Sequence, residues 1–142
     1  FTNYIIMNIE KFTINASKRI DESKNLANKK KNNQINSSHL LYSILSSTDS
    51  IMKEIFRESK IDIKALSTSI KREIDKLSTI EWNYQLSLSN ELNTILIEAE
   101  NIANNNSDQF ITEEHLFLSI IKNSDSNVKE ILRKLKFGTL II

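Results

Sequence analysis

Apolar and small side chains return every three or four residues along most of the chain. Phe12, Ala16, Ile20, Ser23 and Ala27 form one such series, and Leu88, Leu92, Leu96, Ala99 and Ala103 form another. A period near 3.6 puts each series on one face, so each predicts an amphipathic helix with one buried side. Thr13 and Ser89 precede these runs where an N-cap belongs, able to accept from N–H groups that a first turn leaves unpaired. Shorter stripes, Leu40-Leu41-Ile44-Leu45 and Leu116-Phe117-Ile120-Ile121, predict second helices capped by Asn36 and Thr112. Third helices are expected after Asp49-Ser50 and Asp125-Ser126. The first buries Met52, Ile55 and Phe56; the other buries Val128, Ile131, Leu132 and Leu135. A fourth, over residues 63–77, presents Leu66, Ile70, Ile74 and Leu77 after Asp62 as its cap. No counterpart of that helix can be read after Gly138.

The paired stripes are a repeat. His39-Leu40-Leu41-Tyr42-Ser43-Ile44-Leu45 returns as His115-Leu116-Phe117-Leu118-Ser119-Ile120-Ile121, an offset of 76 residues. The offset holds without a gap through Phe12/Leu88, Ala27/Ala103, Ile35/Ile111 and Arg57/Arg133, so two halves share one design. The expected fold is all-α: two pseudo-symmetric, imperfect repeats of about four helices each, packed into one domain over residues 1–142. Repeat one covers 7–77, a linker 78–87 carries Trp82 and Tyr84 to seal the joint, and repeat two covers 88–142.

Composition sharpens this picture mainly by exclusion. The chain has no Pro and a single Gly, residues that sheet proteins spend on turns and that helix interiors tolerate poorly. With no Cys, it has no disulfide framework, thiolate nucleophile or cysteine-ligated metal. Nineteen basic residues against eighteen acidic ones give a net charge of +1, which implies no steering toward nucleic acid or an anionic membrane. No apolar run approaches the ~20 residues needed to cross a bilayer. The Lys29-Lys30-Lys31 run lacks interleaved aromatics and reads as a solvated loop. His39 and His115 lie about one turn into their helices with no ligand cluster around them, so packing or capping is expected of them. No residue set supports catalysis, and the chain is expected not to be an enzyme.

Two imperfect repeats of this kind resemble the amino-terminal Clp repeat domain of Clp-type AAA+ chaperones. The resemblance rests on Met7-Asn8-Ile9-Glu10-Lys11-Phe12-Thr13, on Ile35-Asn36-Ser37-Ser38-His39-Leu40-Leu41 and on Phe110-Ile111-Thr112-Glu113-Glu114-His115-Leu116-Phe117-Leu118. The opening of repeat two, Leu86-Ser87-Leu88-Ser89-Asn90-Glu91-Leu92-Asn93, is most similar to the ClpB disaggregase branch. The resemblance implies a docking module in front of a hexameric AAA+ ring, binding unfolded or aggregated polypeptide and adaptor or co-chaperone proteins. It implies no cofactor in this domain and ATP in the full-length protein. One glycine cannot build the loop that cradles ATP phosphates.

In the ClpB branch a polar trio beside a hydrophobic groove is implicated in substrate engagement; residue by residue it falls on Thr13, Asp108 and Glu114. In the ClpC branch paired glutamates before the repeated histidines read phosphorylated arginine; here Glu114 keeps the second place but Ser38 holds the first. The alternatives are an adaptor-docking domain of a ClpC-like, protease-coupled unfoldase and a free-standing helical interaction module. The Ile-, Asn- and Lys-rich composition with a bacterial-type chaperone suggests a relict-plastid or mitochondrion-like organelle, or the cytoplasm of an AT-rich bacterium.

Overall fold

The computed structural model describes residues 9–47, 49, 51–81 and 85–134. A 3-10 turn (Ile9–Lys11) leads into α1 (Ile14–Lys29), β1 (Gln34–Ile35), α2 (Ser37–Ser46), α3 (Met52–Ser59) and α4 (Ile63–Asp75). The second half runs β2 (Ser87–Leu88), α5 (Asn90–Asn105), α6 (Glu113–Asn123) and α7 (Ser126–Lys134). The long and short helices of each repeat start where the sequence places their caps. Thr13, Asp62 and Ser89 accept from the N–H groups of Ala16, Ala65 and Leu92 at 3.0–3.1 Å. The fourth helix ends at Asp75, two residues short of expectation: the Leu77 N–H bonds to the Ile74 carbonyl at 3.0 Å, three residues back and not four, so the last turn tightens. Trp82, Tyr84, Leu135 and everything after Gly138 lie outside the described residues.

α1 packs on α2 and α5 on α6, while α4 lies against α2 and α7. One continuous core runs through both halves, from Phe12, Ala16 and Ile20 to Leu116, Ile120 and Leu132. Phe56 of α3 meets Phe117 of α6 edge to face, with ring centroids 5.3 Å apart.

The repeats are intertwined, a feature that periodicity does not disclose. β1 pairs in parallel with β2 through Ile35 and Leu88, and an isolated parallel bridge joins Phe12 to Ile111. Phe12 corresponds to Leu88 and Ile111 to Ile35, so the two bridges are one contact made twice, as a pseudo-twofold axis requires. The start of each long helix is thereby tied to the start of the other repeat's short helix. The helix exits repeat as well. Lys31 and Ser107 both turn left-handed (φ 59° and 60°), and the Asn32 and Asp108 N–H groups return to the Ala27 and Ala103 carbonyls at 2.9 and 2.8 Å.

Candidate docking groove at the paired helix starts

The Phe12–Ile111 bridge sets the N-termini of α1 and α6 side by side. The Thr13 N–H donates to the Ile111 carbonyl (3.0 Å) and the Ile111 N–H to that of Lys11 (2.7 Å). Between these starts lies an open groove of about 450 Å³, walled by Thr13, Ile14, Asn15, Ile51, Thr112, Glu113 and Glu114. Ile14 is 78% exposed and Ile51 57%, the two most exposed large aliphatic side chains among the described residues. No Lys or Arg is among the lining residues. Glu114 stands exposed in the first turn of α6, where the helix macrodipole favours a negative charge.

Glu113, next to it, lines the groove yet is buried, and so is Arg19 of α1. The Arg19 Nε lies 3.9 Å from the Glu113 carboxylate, and its Nη2 donates to Asp49 at 2.8 Å. Hydrogen bonds from Ser47, Lys18 and Arg19 hold the Asp49 carboxyl well below the usual carboxylate range. Arg19 thus links α1, the approach to α3 and the start of α6.

Of the three residues carried over from the resemblance, Thr13 and Glu114 line this groove and Asp108 does not. Asp108 is held by His115: the imidazole Nε2 lies 2.9 Å from its carboxylate, while Nδ1 accepts from the Thr112 N–H at 2.9 Å. His39 repeats this geometry, with Nδ1 accepting from the Asn36 N–H and Nε2 meeting the Asn32 side chain, both at 2.9 Å. Each histidine therefore closes a capping box, so of the packing or capping expected from its position it does the capping. Burial lowers the His39 pKa to about 4.

At the second junction, where α5 and α2 start, the same backbone carries different side chains. Asn90 takes the place of Ile14, Asn127 that of Ile51, and Ser37-Ser38 that of Glu113-Glu114. Glu91 closes it: its carboxylate accepts from the Ser37 N–H (3.0 Å), the Ser37 hydroxyl (2.6 Å) and the Asp125 N–H (2.5 Å). Ile14, Ile51 and the burial of Arg19 and Glu113 escape the sequence reading. Comparing the repeats position by position exposes all four as places where the halves differ in polarity or charge.

Among the described residues no group of three His, Asp or Glu side chains could hold a metal ion, and no helix is long and apolar enough to cross a membrane. The sequence profile of the Clp repeat (R) N-terminal domain matches residues 11–135. The chain belongs to this family. It is 30% identical over 132 residues to the chaperone protein ClpB of Clostridium tetani, covering 90% of this chain and 15% of that one. The Clp repeat domain thus spans only a small part of such a relative's length. Its fold is similar to the Hsp104 N-terminal domain of Candida albicans (TM-score 0.78, 19% identity, covering 88% of this chain and 81% of that one). A ClpV N-domain solved in complex with a VipB peptide is also similar (TM-score 0.74, 13% identity, covering 96% and 86%).

Proposed function

We propose that this Clp repeat domain docks apolar stretches of unfolded or aggregated polypeptide, or of an adaptor, in the groove between α1 and α6. It does so as the receiving arm of a ClpB-like disaggregase whose hexameric ring hydrolyses ATP beyond this chain. The observation that carries the reading is the Ile14–Ile51 pair, left in water at one junction and replaced by Asn90 and Asn127 at the other. An aliphatic side chain removed from water contributes roughly 25 cal/mol per Å², so a segment laid across both residues gains most of its affinity there. Thr13 and Glu114 edge the same groove and meet the segment's backbone N–H groups or a basic side chain. Asp108 acts one step removed, by fixing His115 and with it the start of α6. Likeness to ClpB relatives and to a ClpV N-domain solved with a peptide supports this use of the fold. Capture of this kind is weak because ordering a flexible chain opposes it, which suits a site from which a motor must pull its substrate.

The test is the double substitution Ile14→Asn and Ile51→Asn, which gives the first junction the side chains of the second. Both positions are exposed, so thermal stability stays near the parent's, while affinity for a permanently unfolded, carboxymethylated model protein falls about tenfold, or ~1.4 kcal/mol. Unchanged affinity in the folded double variant overturns the proposal.

A further inference from the structure

A second apolar groove of about 370 Å³ lies where α2 ends, α3 ends and α4 begins, and it shares no residue with the first. Ile44, Leu45, Phe56, Ile61 and Ile63 form its walls, of which Ile61 and Ile63 remain partly open to water. Its rim is cationic: Lys53, Arg57 and Lys60. Arg57 is paired with Glu54, but neither Lys53 nor Lys60 has an ion pair among the described residues. Asp62, the one acidic residue in the lining, is committed to capping α4 through the Ala65 N–H.

This separation of charge does not follow from composition, since the whole chain carries only +1. One groove is lined by Glu114, by Glu113 with its Arg19 partner and by no cation; the other is lined by Lys53, Lys60, Arg57 with its Glu54 partner and a single occupied carboxylate. Lys60 sits in the left-handed region at φ 58°, the position after α3 that favours glycine, as Lys31 and Ser107 do at their helix exits.

We propose that this groove is a separate docking site for an acidic, aliphatic peptide segment, whose carboxylates meet Lys53 and Lys60 while its apolar side chains cover Ile61 and Ile63. Such a ligand is opposite in charge to what the α1–α6 groove accepts. The domain can therefore hold an acidic partner and a captured polypeptide at once. α3 joins the two places, with Ile51 immediately before its first turn and Lys60 immediately after its last.

A cation at the end of α3 is also favoured by the helix macrodipole alone, and the experiment separates that role from binding. Short synthetic peptides alternating Leu with Glu, Leu with Gln and Leu with Lys are titrated into the chain, with backbone amide NMR as the readout. The Leu/Glu peptide is expected to move the signals of Lys60, Ile61 and Ile63 and to spare those of Ile14 and Ile51. Its affinity should exceed that of the Leu/Gln peptide severalfold and fall with added salt. Lys60→Gly relieves the left-handed residue and keeps the fold while lowering Leu/Glu affinity severalfold. Lys53→Gln, on the exposed face of α3, has the same effect on binding. Absence of Leu/Glu binding, equal binding of the Leu/Gln peptide, shifts centred on Ile14 and Ile51, or unchanged affinity in both variants each overturns the proposal.

Discussion

The two junctions, α1 with α6 and α5 with α2, share one backbone and have opposite surfaces. At the first, aliphatic side chains face water beside a buried ion pair; at the second, asparagines face water and Glu91 ties the start of α2 to the approach of α7. The repeat supplies two equivalent places where helix starts converge, and of the two the first carries an open apolar floor. The comparison teaches that the fold fixes where a segment could dock, whereas a few side chains decide whether it can.

The largest effect is expected at the buried ion pair. Arg19 corresponds to Ile95, a fully buried core residue of the other repeat, and Glu113 corresponds to Ser37. The buried Arg19 guanidinium has Asp49 at 2.8 Å, Glu22 at 3.3 Å and Glu113 at 3.9 Å, and breaking a buried ion pair costs about 3–5 kcal/mol. Arg19→Ile alone should therefore destabilise the domain on that scale by denaturant melting. Adding Glu113→Ser, which completes the second junction's pattern, should recover much of the loss. A double variant no more stable than Arg19→Ile would show that the two junctions differ by more than this exchange.

Much of this was legible beforehand, and the rest was not for physical reasons. The repeat, the long and short helices, the caps Thr13, Ser89, Thr112 and Asp62, and the capping role of both histidines all follow from local pattern, because each is decided within one turn of helix. The Phe12–Ile111 and Ile35–Leu88 bridges are contacts between halves, and helical periodicity carries no information about them. Arg19 lies on the buried face itself, three residues after Ala16 and four before Ser23, but an arginine gives no apolar signal there, and only the approach of Asp49 and Glu113 makes its burial tolerable. Asp108 was grouped with Thr13 and Glu114 by resemblance; its tie to His115 becomes visible only when Asn32 and His39 are seen to make the same contact.

A smaller effect should appear at the His39 capping box as pH falls. His39 is buried against a neutral asparagine, whereas His115 faces a carboxylate that is half exposed. A histidine whose pKa is about 4 in the fold and near 6.5 in the unfolded chain stays neutral in the one while the other takes up a proton. The unfolded state then binds more protons between those values, so this contribution is present above pH 6.5 and is lost as pH falls toward 4. The loss amounts to about 3 kcal/mol. Stability measured across that window should decline, and NMR titration should show the His39 imidazole resisting protonation until near pH 4. A His39 that titrates near 6.5 in the folded domain contradicts this.

The smallest effect concerns what the junctions have in common. Lys31 and Ser107 occupy equivalent left-handed positions. Lys31→Gly and Ser107→Gly should each stabilise the domain, by up to about 1 kcal/mol and by similar amounts. A gain at one site only would mean that the helix exits differ in spite of matching dihedral angles.

Docking at one junction and not at its equivalent is tested most directly by backbone amide NMR of the chain titrated with the carboxymethylated model protein. Signals of Ile14, Ile51, Thr112 and Glu114 should shift or broaden together, and those of Ser38, Asn90 and Asn127 should stay in place. Equal perturbation at both junctions, or perturbation confined to the second, would contradict the account.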